Sequence, residues 1–340
     1  MKKEQKKQKM TGDLYICHTV YHFLVALARW QEGGPVTFWL STTISNAQQL
    51  AYQIRQSGAP VRVLVKDKDV LRSEFGFYPR PLLAEMRAFL QSFAHIYLFN
   101  DDTPEGFFCH RQKLAYVLLE DGYNYFTIAH QQGYPRSLKE RLARQVKRRP
   151  LIRGYSSACQ AIEINSWENL AVSQTDSRYA KLCVLPRKAL FRQLSSEKES
   201  YMQAIFGPVP EVNERGRLAL VLTQPLAQDG LMSPSQQAYF YEKVITRLQA
   251  SGYQVLLKGH PRDHLTYDGI KGVTCLAQAV PVEYLALQGK LQLSLVVSHS
   301  STANQFFEAP TVSQVFYDWA RDSYDAQLLG DYGLDEGDIR

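Results

Sequence analysis

No apolar run in the chain approaches the ~20 residues that cross a hydrocarbon core, and no apolar stretch backs the N-terminal lysines as a secretory leader would require. A cytoplasmic protein is expected, with peripheral attachment to the inner face of the cytoplasmic membrane left open. Cysteine is scarce: Cys17, Cys109, Cys159, Cys183 and Cys275 are odd in number, widely spaced and free of any CxxC pair. That usage predicts reduced core thiols in a reducing compartment, with neither a disulfide framework nor a zinc site. The eight histidines contain no HExxH pattern, so no protein-held catalytic metal and no cofactor are expected. No nucleic-acid-binding motif and no short internal repeat is present, and nucleic acid is not an expected partner.

What is present describes a folded protein of ordinary composition, 45% hydrophobic and 21% charged. At 340 residues the chain exceeds one typical core and suits two domains of roughly 150 residues each. Net charge is +6, with 39 Lys and Arg against 33 Asp and Glu, and it is unevenly placed. Lys2, Lys3, Lys6, Lys7 and Lys9 crowd the first residues, and a second basic run covers 139–153. Such clusters hold a protein near anionic headgroups or attract an acidic substrate. A solvated tail and the exposed face of a helix explain them equally well.

Along the chain, apolar runs alternate with amphipathic stretches. Strands are expected at 14–17, 36–40, 61–65, 95–99 and 114–119, and helices after His22, over 45–56 with Ser45 as N-cap, and over 81–92. Leu138, Leu142 and Val146 form one stripe of a basic helix. Residues 155–215 read poorly, and a boundary is expected within 190–216. Strands then resume at 218–222, 255–257, 273–276, 293–297 and 311–316, with helices over 233–250, opened by Ser233-Pro234, over 282–288 and over 303–307. Strand and helix alternation predicts α/β architecture with parallel sheets: two doubly wound, Rossmann-like domains facing a central cleft. The divisions are a basic tail at 1–12, an N-terminal domain at 13–200 and a C-terminal domain at 201–340.

Four strand ends carry polar clusters: Glu120-Asp121-Gly122, Thr223-Gln224-Pro225, Lys258-Gly259-His260-Pro261 and Ser298-His299-Ser300-Ser301-Thr302. Asp121 is a carboxylate able to take a proton from an attacking hydroxyl, and Glu120 beside it would raise its pKa by like-charge repulsion. An acidic turn in water is the plain alternative. His260 can donate a proton or, as a cation beside Lys258, stabilise charge on a departing phosphate, and Gly259 permits close approach of a ligand. Ser300 and Ser301 offer hydroxyls where a helix begins, which suits phosphate oxygens or simple capping. Glu283 is a candidate for ribose hydroxyls, or a first-turn helix acid. His18, Thr19 and His22 end the first strand; a place on the acceptor side of the cleft and a purely packing role are both open.

Taken in order, an acidic-acidic-glycine motif, a His-Pro motif and a Ser-Ser pair resemble the signature motifs of bacterial sialyltransferases. The polysialyltransferase-like group is nearest, because TQPLAQDG at 223–230 and PVEYLA at 281–286 also fit. The resemblance implies a GT-B fold, CMP-sialic acid as donor, inversion at the anomeric centre and no metal. It also implies roles: Asp121 as general base with Glu120 and Gly122 beside it, and His260 assisting departure of CMP. Ser300 and Ser301 would lie on its phosphate, Glu283 on the ribose, and Lys258, Gly259, Pro261, Thr223 and Gln224 along the donor. The expected product is a sialylated surface glycan of capsule or lipooligosaccharide type. Two rivals remain: a GT-B enzyme using CMP-Kdo or a nucleotide-diphosphate sugar, and a non-catalytic protein that binds an anionic glycan or lipid.

Overall fold

The structure is a computed structural model that describes residues 12–73, 76–122, 126, 137–146, 151–168, 170–208, 216–267, 269–278, 280–287, 291–308, 310–319 and 321–339. The five N-terminal lysines and residues 147–150 of the second basic run lie outside the described residues. The chain divides into two compact units, 1–205 and 206–340.

The first unit is built on seven parallel strands: β1 (Asp13–Cys17), β2 (Val36–Ser41), β3 (Arg62–Lys66), β4 (His95–Leu98), β5 (Tyr116–Leu119), β6 (Cys159–Ile164) and β7 (Leu182–Val184). Their spatial order is β3-β2-β1-β4-β5-β6-β7. The order reverses direction next to β1, the arrangement that opens a crevice beyond the carboxyl ends of the strands. β2 is buried at every position, as a strand covered on both faces must be. Helix α1 (Val20–Arg29) buries every residue from His22 to Ala28, which explains why its sequence is apolar nearly all round. Leu14, Ile16, Trp39, Leu98, Leu118 and Ile162 form the heart of this core.

Helix α2 (Ala47–Gln56) departs from expectation at its start: the N-cap is Asn46 in the left-handed region, φ 61°, so Ser45 does not cap it. Asn tolerates that conformation because its short polar side chain carries little steric penalty there. Helix α3 (Arg80–Gln91) follows the expected span, whereas α4 (Pro104–Gln112) was not expected. Its start is written in Thr103-Pro104: Thr103 accepts from the backbone of Gly106, and proline occupies the first turn. A Cβ at Gly106 would lie 2.4 Å from the carbonyl oxygen of Asp101, so only glycine lets α4 begin this close to the chain leaving β4.

Helix α5 (Leu138–Val146) follows, and Leu138, Leu142 and Val146 are all exposed. The unreadable stretch after 155 holds β6, β7, α6 (Arg187–Arg192) and α7 (Ser196–Phe206). The polar segment expected as a connection is thus largely α7, and the expected 200/201 boundary falls inside that helix. Lys198 of α7 is buried and donates to the carbonyl of Ala28, which ties this helix to α1 within the first unit.

The second unit repeats the logic with five parallel strands in the order β10-β9-β8-β11-β12. These are β8 (Arg217–Leu222), β9 (Tyr253–Lys258), β10 (Val273–Leu276), β11 (Leu293–Ser298) and β12 (Val312–Val315). Helix α8 (Pro234–Ala250) opens with a full capping box, Ser233 and Gln236 each satisfying the other's backbone N–H. Its Phe240, Val244 and Leu248 pack with Val221, Leu257, Val297 and Phe316. Helix α9 (Val282–Leu287) is short, and Thr302–Phe306 forms a 3-10 turn where an α-helix was expected. A small antiparallel pair, β13 (Tyr317–Asp318) with β14 (Ser323–Tyr324), precedes α10 (Ala326–Asp331) and α11 (Glu336–Ile339).

None of the five cysteines, all among the described residues, is in a disulfide. Cys17, Cys109 and Cys159 are core thiols, but Cys183 and Cys275 are exposed on edge strands, so the expectation of burial holds for only part of the set. Among the described residues no helix is long and apolar enough to cross a membrane.

Candidate functional site

In the first unit the carboxyl ends of β1, β4 and β5 bring a polar cluster together. The chain leaving β5 turns at Gly122, φ +83°, a conformation that glycine adopts without strain, and this turn carries Asp121. Asp121 Oδ1 lies 2.7 Å from Nε2 of His22, and Asn100 donates to Oδ2 at 3.4 Å. His22 is 2% exposed and Asp121 30%, so the carboxylate is the member of the pair that meets solvent. His18, at the end of β1, places its Nε2 3.4 Å from the fully buried carboxylate of Glu105 on α4.

Burial works against the charge on Asp121, but His22, Asn100 and His18 outweigh it and bring the carboxyl below its ordinary value. Burial lowers His22, and the neighbouring Asp121 offsets that only in part. At neutral pH the pair is therefore an ionised carboxylate accepting from a neutral imidazole.

Glu120 behaves differently from its neighbour. It is buried, and its Oε2 accepts the backbone N–H of Asn165 at 2.5 Å, beyond the end of β6. The expected like-charge elevation of Asp121 is not found, since Asp121 shifts downward and Glu120 is engaged in closing the β5–β6 loops. Thr19 is exposed and caps α1 by accepting from the N–H of His22 at 3.1 Å.

In the second unit the ends of β8, β9 and β11 hold a second cluster organised by Asp263, which is 5% exposed. Its carboxylate accepts from Thr223 Oγ1 at 2.6 Å, Gln237 Nε2 at 2.9 Å, Tyr267 Oη at 3.0 Å and the N–H of Leu265. Thr223 in turn accepts the backbone N–H of His260 at 3.1 Å, so the network holds the His-Pro loop to the end of β8. Nδ1 of His260 accepts from the N–H of Arg262, which places the ring proton on Nε2. Burial, followed by the charges of Arg262 and Lys258, lowers His260 to about 4. At neutral pH it is a neutral N–H donor, the first of its two expected states, and not the cation beside Lys258.

Lys258 is buried and donates to the carbonyls of Gly259 and Gln278, both at 3.0 Å. Burial lowers it to about 8 against the opposing pull of Glu283, and burial raises Glu283 in the same environment. Its ammonium therefore pins the loop to the segment after β10. Gly259 admits the side chain of Gln278, 3.0 Å from where a Cβ would stand. Pro261 is exposed beyond it.

Ser300 is buried, and both its N–H and its hydroxyl are within reach of Gln224 Oε1, at 2.6 and 2.9 Å. The adjacent His299 lies between Ser300 Oγ and Tyr324 Oη and stacks on Tyr317. Ser301 is partly exposed and caps the 3-10 turn through the N–H of Ala303. The structure thus groups Thr223, Gln224, Lys258, Gly259, His260, Glu283, Ser300 and Ser301 around one set of strand ends. Asp263, in the same stretch as His260, and Gln237 organise this group, and Asn100 and Glu105 serve the first unit; none of the four has a role assigned from sequence. Asp263 carried a signal, since an Asp two residues after His-Pro follows a buried strand. Among the described residues no group of three or more His, Cys, Asp or Glu side chains is placed to hold a metal ion.

Similarity to known proteins agrees with this layout. An uncharacterized protein of Haemophilus influenzae is 25% identical over 209 residues, which is 61% of this chain and 63% of that protein, so the match spans less than two thirds of the relative. The wall teichoic acid polymerase TagF superposes with a TM-score of 0.52 at 10% identity, covering 95% of this chain and 74% of its own. The spinosyn rhamnosyltransferase SpnG, complexed with thymidine diphosphate, gives 0.52 at 13% identity over 97% and 88%. These likenesses place both parallel-sheet units in the GT-B fold class. Residues 36–317, well over half of the chain, match one family throughout. The chain belongs to glycosyltransferase family 52, a family of bacterial sialyltransferases.

Proposed function

We propose that the chain is an inverting, metal-independent sialyltransferase that moves sialic acid from CMP-sialic acid to a hydroxyl of a bacterial surface glycan of capsule or lipooligosaccharide type. The observation that carries the reading is Asp121: an ionised, partly exposed carboxylate at a strand end, held by His22 and Asn100, in a chain of this family. Asp121 takes the proton of the acceptor hydroxyl as its oxygen attacks the anomeric carbon from the face opposite CMP. The bond from that carbon to the CMP phosphate oxygen breaks with inversion.

His260 serves the leaving group. Its Nε2–H donates to the phosphate, and the phosphate's charge favours the imidazolium that burial otherwise resists. A single phosphate needs fewer compensating charges than a diphosphate, which favours departure without a metal. The hydroxyl of Ser301 is the accessible phosphate contact, and Ser300 and Gln224 shape the loop beneath it. Glu283 is assigned to the ribose. For the membrane, the exposed stripe Leu138, Leu142 and Val146 on a helix of basic sequence supports peripheral attachment at an anionic cytoplasmic surface.

A donor screen tests the reading. CMP release is expected from CMP-sialic acid, with no turnover of UDP- or GDP-sugars; the opposite pattern assigns the chain to a nucleotide-diphosphate donor, and release from CMP-Kdo alone assigns that sugar. Asp121→Ala is expected to fold normally and lose roughly 10²-fold or more in turnover. Full activity in that variant would remove Asp121 from the reaction.

A further inference from the structure

We propose that His22 is a positioning residue for Asp121, an imidazole locked as the Nε2–H tautomer that occupies Oδ1 and leaves Oδ2, on which Asn100 makes only a long 3.4 Å contact, to receive the acceptor's proton. This rests on the assignment of Asp121 as the base.

The lock is built from local sequence. Thr19 ends β1 and caps α1, accepting the N–H of His22 at 3.1 Å and so fixing where the first turn carries that side chain. The backbone N–H of His18 then points at Nδ1 of His22, 3.2 Å away. A backbone N–H only donates, so Nδ1 presents its lone pair and the ring proton resides on Nε2. Nε2 meets Oδ1 of Asp121 at 2.7 Å. Phe99, at the end of β4, covers one face of the ring at 4.2 Å and 4° from parallel. Both nitrogens are engaged and one face is stacked, so rotating the imidazole breaks two hydrogen bonds and an aromatic contact together.

The same geometry opposes protonation. An imidazolium carries N–H on both nitrogens, and its Nδ1–H would oppose the His18 N–H, donor against donor. The charged groups facing His22 are Asp121 from the β5 turn, His18 from the end of β1 and Arg187 from α6, with the buried Glu105 of α4 beside His18. Among the described residues, Asp121 is the one carboxylate hydrogen-bonded to the ring. Without His22, Asp121 would sit on a glycine turn with only the 3.4 Å contact from Asn100 to hold its side chain. With Oδ1 fixed, a small rotation that costs orders of magnitude in rate is prevented.

The test compares His22→Phe, which keeps the stack on Phe99 and removes the N–H, with His22→Gln, whose amide nitrogen reaches the same place and does not titrate. Full-length variants are assayed with CMP-sialic acid or whichever nucleotide sugar the donor screen selects. His22→Phe is expected to lower kcat roughly 10²-fold with little change in donor KM. It also moves the acid limb of the kcat profile to higher pH, because Asp121 stays partly buried without its donor. His22→Gln is expected to restore most of kcat and return the limb. An inactive Asp121→Ala beside a His22→Phe with wild-type kcat and pH profile would overturn the positioning role alone, as would a His22→Gln no better than His22→Phe. An active Asp121→Ala would instead overturn the base assignment beneath it. Nitrogen NMR of the unmodified protein reads the tautomer independently of any variant: Nε2 protonated and Nδ1 bare at pH 7 is expected, and the reverse would sink the proposal.

Discussion

Asp263 shows how one buried carboxylate organises a loop from below. Four donors converge on it, from the end of β8, from α8 and from its own loop, and one of them, Thr223, holds the backbone of His260. Replacing it with alanine removes the acceptor of the buried Thr223 and Tyr267 hydroxyls and leaves the Gln237 amide with Tyr267 Oη alone. Because orphaned buried donors cost about 1–3 kcal/mol each, Asp263→Ala is expected to lower unfolding free energy by roughly 3 kcal/mol or more in a urea titration. It should also reduce turnover by releasing the His-Pro loop. Asp263→Asn, which keeps one acceptor, should fall between the two; an alanine variant within 1 kcal/mol of wild type would refute this account. His260 itself is legible in sequence as a chemical group. Its neutral state is not, because that depends on burial and on Arg262 and Lys258 arriving beside it.

Helix α8 illustrates what an element encodes locally. Ser233-Pro234 and Gln236 specify its start without any tertiary information, and the capping box forms with Ser233 accepting from Gln236 N–H and Gln236 accepting in return. Ser233→Ala is expected to cost about 1 kcal/mol, measurable as a shift in urea midpoint without change in donor specificity. Helix α4 was as plainly marked by Thr103-Pro104, yet its short span, which buries Glu105 and Gly106 beside Phe108 and Cys109, lacks a clear apolar stripe and reads as loop. The stretch from 155 to 215 was harder for a physical reason that its described part shows. β6 mixes Gln160 and Glu163 into its apolar run, and Glu163 is buried because Arg29 and Arg187 pair with it at 2.9 and 2.6 Å. A buried ion pair looks like surface until its partners, from α1 and α6, are known.

Across the whole molecule, acid should be the sensitive direction. His22, His110, His260 and His299 are all lowered, chiefly by burial, the last two to about 4. Between pH 6.5 and 4 the unfolded chain therefore binds more protons at these groups than the folded one, and stability falls as pH falls. Asp121 and Asp176, held below their ordinary values, extend the loss below pH 4, and Glu283, raised by burial, opposes it. The urea midpoint of the full chain is expected to drop steadily from pH 6.5 to 4.5, with a shallower slope in His299→Gln. A flat profile would contradict the buried-neutral assignment of these histidines.

Strand and helix alternation, with polar residues at strand ends, determined the two parallel α/β units, their family resemblance and the placing of Asp121 and His260, because period and turn chemistry are local properties. Tertiary structure alone decided how the adjacent acids differ: Glu120 turns inward to Asn165, while Asp121 meets His22 across 99 residues of chain. It likewise assigned Lys258, Ser300 and Thr19 to holding loops and caps. Those assignments depend on hydrogen bonds between segments distant in sequence, and on the burial that sets each proton's place, neither of which a linear pattern contains.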